Sequence, residues 1–172
     1  LAGICCTANE VLMRHSIPMA GNFLQQEVAI LTGLVEAKVV DVQCIMQSLP
    51  RIAESYHTEI ITTSKIATMP GAQHIEFHED KELQSAREHV KAACDNFVNR
   101  KPEQINLVEG KTDMVVGFSH ETINYLLGGS FRASYRPLND NIINGKIRGI
   151  GAVVGCNNPK SPHDAYHIAM VK

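Results

Sequence analysis

Short apolar runs of strand length alternate with longer amphipathic runs of helix length through the first hundred residues. Residues 1–4, LAGI, form a short apolar strand. Thr7 stands three positions ahead of Glu10, as in a capping box, and opens a helical segment, VLMRH; Cys5 and Cys6 therefore lie between a strand and a helix N-terminus. Residues 16–21, SIPMAG, read as a turn. Asn22 then caps a helix through FLQQEVAILTG, in which Phe23, Val28 and Leu31 recur at helical spacing and which Gly33 ends. Residues 35–42, with Val35, Ala37, Val39 and Val40, suit a strand covered on both faces, and Cys44 lies just past its end. Residues 48–56 follow as a short helix with Pro50 in its first turn, and EIITT at 59–63 as the next strand.

Further along, residues 65–71 form a loop, IEF at 75–77 a brief extended piece, and residues 79–100 a long helix. Leu83, Ala86, Val90, Cys94 and Phe97 fall on one stripe of that helix with charges elsewhere, which predicts the stripe as its core face and Cys94 as a core residue. Pro102 stops it. The polar, punctuated stretch KPEQINLVEGK at 101–111 predicts a linker, dividing the chain into units 1–108 and 109–172. The second unit opens with MVVGF and a helix over 119–127, is broken by GG, and continues with a helix over 138–143. An apolar, glycine-laced strand then runs through IRGIGAVVG into Cys156 and NNPK. Gly149, Gly151 and Gly155 lie within that strand, whereas the glycines of a dinucleotide fingerprint follow a strand and open a helix; close packing inside a sheet is their predicted use. The alternation predicts an α/β fold with Rossmann-like parallel sheets and flanking helices. The chain opens inside an apolar strand and closes on DAYHIAMVK, a helix cut short, so it reads as partial domains of a longer polypeptide.

Composition narrows the function classes. The 172 residues carry 16 Lys and Arg against 18 Asp and Glu, a formal charge of -2, which gives no electrostatic basis for nucleic-acid binding. No apolar run approaches the ~20 residues of a membrane-spanning helix, and no signal-peptide pattern opens the chain. Five cysteines, an odd and unevenly spaced set, do not make a secreted disulfide framework and point to a reducing, cytoplasmic setting.

The candidate chemistry sits at three strand ends, each carrying a thiol. In open α/β sheets, ligands bind outside the carboxyl ends of the strands, and Cys6, Cys44 and Cys156 all occupy such positions. Thiolates so placed suit a soft metal or an iron-sulfur cluster; the residues alone leave equally open that each is a small buried hydrophobe. Cys5 and Cys6 are adjacent, and there is no CxxC or HExxH, which argues against a zinc finger. His163 and His167, spaced i, i+4, lack a third ligand nearby and read as surface histidines, as do His15, His57, His74, His78, His89 and His120.

The segments GICCTANEVLMRHSIPMAGNFLQQE, VDVQCIM, GFSHETIN and VVGCNNPK resemble the catalytic subunit of nickel-containing carbon monoxide dehydrogenases, over essentially the whole chain. The resemblance implies the latter part of one Rossmann-like domain and the opening of a second, with a nickel-iron-sulfur cluster held between them. It places Cys6 on a pendant iron and Cys44 and Cys156 on irons of the cubane part, with an alternate role for Cys5 left open. The implied reaction is the reversible oxidation of CO by water to CO2, two protons and two electrons. Implied partners are a second copy in a homodimer and a ferredoxin-like electron acceptor, or an assembly with acetyl-CoA synthase. The family's remaining ligands, its proton-handling histidine and lysine, and the cysteines of its further 4Fe-4S clusters match no position here. The chain thus carries no catalytic side chain of its own, and by itself is expected neither to complete the cluster nor to turn over CO. Two alternatives stand beside this: a hybrid-cluster iron-sulfur protein acting on hydroxylamine-like compounds, and a metal-free scaffold or subunit-contact module.

Overall fold

Strand and helix alternate as the hydrophobic pattern predicts in the computed structural model, which describes residues 1–107, 109–110, 118–128, 134–156, 158, 160–162 and 164–172. Most of MVVGF, the second glycine of the GG break, Asn157, Pro159 and His163 lie outside the described residues. The strand β1 (Gly3–Ile4) pairs in parallel with β2 (Met19–Gly21), joined by α1 (Cys5–His15) in a βαβ unit. Two expectations change here. The stretch expected as a turn ends in a strand, secured by Gly3 N–H donating to Pro18 O at 2.9 Å. The helix begins at once after the two-residue strand, with Cys5 left-handed at φ 58°, so Cys5 and Cys6 form its first turn and Thr7 lies inside it rather than capping it. The return of α1 over β1 leaves no room at residue 3: a Cβ on Gly3 would sit 2.6 Å from Ala8 Cα.

The second sheet is also parallel, in the order β3 (Ala37–Val40), β4 (Glu59–Thr62), β5 (Gln73–His74), with Val39 opposite Ile61 and Thr62 opposite His74. Asn22 caps as predicted: its side chain accepts from Leu24 N–H at 3.0 Å while Gln25 reaches back to Asn22 N–H at 2.9 Å. One tight turn, Phe23–Gln25, leads into α2 (Gln26–Leu31), and α3 (Leu49–Ala53) takes Pro50 in its first turn, where a missing N–H is harmless. Ile30 and Leu49 from these helices meet Val40 and Ile60 from the strands, with Ala53 and Met69 completing the core. Full burial of Ile30 and Leu49 contributes roughly 1.5–3 kcal/mol each. Gly33, at φ 68°, closes α2 against the chain returning at Gln104, where Asn106 N–H donates to Thr32 O at 3.0 Å and Gln104 Nε2 to Ser55 O at 3.1 Å. The front of the expected linker is thus fastened to this unit.

The long helix, α4 (Glu82–Asn96), turns the opposite way from the expected one. Leu83, Val90, Cys94 and Phe97 are exposed, and the buried positions are Ser85, His89 and Asn96. The reason is what the helix packs on. Asn96 Nδ2 donates to Glu36 O at 2.8 Å and to His57 O, and the two ring nitrogens of His89 lie 2.6 Å from Ser85 O and 3.2 Å from Ile75 O. Ser85 Oγ accepts from His78 N–H at 3.2 Å. Buried backbone groups at the sheet's margin need partners, and the polar stripe meets that need. His57 and His89 are consequently buried rather than surface histidines.

The second half adds α5 (His120–Leu127), capped by Ser119, then α6 (Arg136–Ile143) and α7 (Ala165–Val171). Residues 147–156 do not form the expected strand. Ile150 and Val154 are exposed, no strand among the described residues pairs with this segment, and a Cβ on Gly149 or Gly151 would meet nothing within 4 Å, so these glycines are not packed in a sheet. No helix among the described residues is long and apolar enough to cross a membrane.

Candidate metal centre

Thiols from three distant parts of the chain come within electrostatic reach of one another. Cys5 and Cys6 stand at the carboxyl end of β1 and Cys44 beyond that of β3, as predicted; Cys156 arrives on the unpaired segment before α7. Cys44 and Cys6 are in side-chain contact, and Cys5 lies within electrostatic reach of Cys44, Cys156 and Cys6. Cys5 is buried, Cys44 half-buried, and Cys6 and Cys156 exposed, so the cluster opens on one side. Cys94 is remote in role, an exposed thiol on α4. Among the described residues no three His, Cys, Asp or Glu side chains close on one point as ligands of a single ion would.

The electrostatics are those of a site that resists its own ionisation. Burial pushes the Cys5 thiol up to about 11, and the neighbouring Cys44, Cys156 and Cys6 add to this while Lys38 opposes it. Burial likewise raises Cys44, helped by the charge and hydrogen bond of Cys6 and by Cys156, with the Gln43 amide acting the other way. Thiols crowded together repel once deprotonated. A bound cation reverses that balance, because a coordinating thiol is deprotonated outright.

The sequence reading missed two side chains beneath this cluster. Gln26, at the start of α2, is 1% exposed; its Nε2 donates to Cys44 O and lies 3.7 Å from Cys5 Sγ. Lys38, in β3, is buried, and its Nζ donates to Gln26 Oε1 at 3.0 Å. Burial pushes Lys38 down to about 8, partly offset by Cys5 and Glu27, which leaves it cationic at neutral pH. A signal was present: a lysine inside the apolar run VEAKVV shares a strand face with Val40, and buried lysines are rare unless partnered. On the rim, Gln43 Nε2 lies 3.7 Å from Cys6 Sγ. His167, expected at the surface, is half-buried, with Nε2 3.6 Å from where a Cβ on Gly155 would stand, next to Cys156.

The Prismane/CO dehydrogenase family model matches residues 1–172. This chain belongs to that family. Among curated relatives it is similar to carbon monoxide dehydrogenase 1 of Methanosarcina mazei, 53% identical over 172 residues, covering 100% of this chain and 27% of the relative. Carbon monoxide dehydrogenase 1 of Carboxydothermus hydrogenoformans is 48% identical over 173 residues, again covering 100% of this chain and 27% of the relative. Among solved structures, carbon monoxide dehydrogenase IV from Carboxydothermus hydrogenoformans superposes with a TM-score of 0.77 at 46% identity, over 99% of this chain and 27% of that one. The chain thus spans about a quarter of the family members it matches. Its α/β architecture of small parallel sheets with flanking helices is that of a segment of those enzymes.

Proposed function

We propose that this chain is part of the catalytic subunit of an anaerobic nickel-iron-sulfur carbon monoxide dehydrogenase, and that Cys6, Cys44 and Cys156 are cluster ligands. The convergence of these thiols from three separate segments, in a chain of this family, carries the reading. The donor set fits such a group: soft sulfur ligands, Cys6 and Cys44 past the carboxyl ends of parallel strands and Cys156 on an unpaired segment, open on one side and electrostatically in want of positive charge. When bound, the cluster supplies the redox and metal-activation chemistry that converts CO and water to CO2, two protons and two electrons. The chain's own residues hold and orient it. Cys6 and Cys44 form one edge of the site, Cys156 closes another, and the Gln43 amide steadies the Cys6 sulfur. The division near residue 109, with the site between two units, belongs to the same proposal, as do the ligands and electron-relay clusters supplied from other parts of the subunit.

The test is metal analysis and CO-dependent dye reduction on the complete subunit, assembled anaerobically with nickel. Cys6→Ala, Cys44→Ala and Cys156→Ala should each lower cluster content and abolish turnover, with Cys94→Ala unchanged. A wild-type subunit lacking nickel, or CO oxidation surviving all three substitutions together, sinks the proposal.

A further inference from the structure

One buried amide touches both cysteines whose backbones are strained. Cys5 and Cys44 are left-handed, at φ 58° and 55°, a conformation that costs a non-glycine residue about 1–3 kcal/mol and persists only where its surroundings impose it. Gln26 Nε2 meets the carbonyl of Cys44 and faces the sulfur of Cys5, so a single NH2 group ties the two loop ends together. Its orientation is not free. The Lys38 ammonium has only donors, and it holds Gln26 Oε1 at 3.0 Å and Gln26 O at 3.5 Å, which leaves the NH2 end turned towards the cysteines.

Lys38 is also a charge in an unusual place. It is 8% exposed, its hydrogen bonds among the described side chains go to neutral oxygens of Gln26, and the Glu27 carboxylate acts on it through its charge. A buried ammonium held by two neutral oxygens is unfavourable unless negative charge stands nearby. Glu27 acts on it at longer range, and the sulfurs of the thiol centre, ionised once a cation is bound, bring negative charge to its side of the site.

We propose that Gln26 and Lys38 are positioning residues of this centre: Gln26 sets the geometry of the Cys5 and Cys44 loops, and Lys38 fixes Gln26 and supplies a buried counter-charge to the sulfur-rich group. The proposal rests on the metal-centre reading above. Groups behind the ligands tune a metal site through orientation and charge, and losing one typically lowers metal affinity or activity about 10- to 100-fold.

The test uses the complete subunit, loaded anaerobically with nickel and iron, and reads metal content, the spectroscopic signature of the cluster and its midpoint potential. Removing a buried positive charge disfavours the reduced form, so Lys38→Met should move the potential to more negative values, while Lys38→Arg stays near wild type. Gln26→Glu keeps the shape and can still pair with Lys38, but it presents an oxygen to Cys44 O. Bound nickel should fall about tenfold, with an altered signature in whatever cluster remains at this site. An unshifted potential in Lys38→Met, or wild-type nickel content and signature in Gln26→Glu, overturns the proposal. Should Lys38→Met fail to fold, Lys38→Gln against Lys38→Arg decides the charge: equal potentials overturn it and a more negative Lys38→Gln supports it. A wild-type subunit without nickel and iron refutes the metal-centre reading instead, and is told apart because the defect then precedes any substitution.

Discussion

Replacing Asn96 tests whether α4 is held by hydrogen bonds rather than by apolar packing. Its side chain is 4% exposed and donates to Glu36 O at the entry to β3 and to His57 O at the entry to β4, while Asn99 Nδ2 donates to its Oδ1 at 2.8 Å. In Asn96→Ala, Glu36 O keeps Glu59 N–H at 2.9 Å, but the Asn96 donor to His57 O is gone. Three lost hydrogen bonds, of which the one from exposed Asn99 is replaced by water, and one stranded carbonyl sum to roughly 3 kcal/mol. A complete subunit does not unfold in one step, so the assay is native-state hydrogen exchange of the amides at 36–40 and 57–62. If these protons exchange through the opening that Asn96 restrains, a loss of about 3 kcal/mol predicts exchange faster by about a hundredfold. Asn96→Asp keeps the shape and removes the donor, so it should match or exceed the alanine variant, which separates donor loss from cavity formation. Acceleration below about fivefold in both, under about 1 kcal/mol, would falsify the idea that polar contacts anchor this helix.

Other consequences can be measured directly. Glu36, with a side chain 17% exposed, is opposed by desolvation but held below the usual carboxylate range by hydrogen bonds from Arg100 and His57 and by the Arg100 charge. A depressed folded pKa gives stability that is present above the unfolded value and lost as pH falls through the folded one, so local protection near residue 36 should drop on acidification. Arg100→Met should flatten that dependence. Gly33→Ala places a Cβ 2.5 Å from Gln104 O at a φ of 68°, and should loosen the contact between α2 and residues 104–106 by more than the ~1 kcal/mol of an unstrained backbone change. Cys94, exposed on α4, should be alkylated readily in the loaded subunit without metal loss, whereas a protected Cys94 would show that this face of the helix is covered.

Much of the fold was legible where one residue type has one local use. Asn22 as cap, Pro50 in a first turn, Ser119 ahead of α5 and the β-branched runs of β3 and β4 all stand close to where the pattern put them. Cys6 and Cys44 past strand ends were equally visible, whereas Cys156 ends no strand. What the pattern could not decide was which of two stripes on α4 faces inward. Periodicity reports that Leu83, Val90 and Phe97 share a side, and equally that Ser85, His89 and Asn96 share another; the choice depends on carbonyls of residues 36, 57 and 75, brought there by the tertiary fold. The glycine-laced run before Cys156 failed for a related reason, since a strand exists only with a neighbour to bond. Gln26 was overlooked because its partners, Lys38 and two loop cysteines, are distant in sequence; the lysine in an apolar strand was a visible sign, but not of what it pairs with.

The separation of the four thiols along the chain also sets an order in time. At synthesis rates of roughly 5–20 residues per second, Cys156 leaves the ribosome on the order of ten seconds after Cys44, so Cys5, Cys6 and Cys44 wait together without their fourth neighbour. During that interval three thiols share a half-built, water-exposed site, open to capture of a wrong ion or to oxidation. The burial that holds Cys5 and Cys44 up in pKa belongs to the finished fold, so resistance to ionisation arrives only as the site closes.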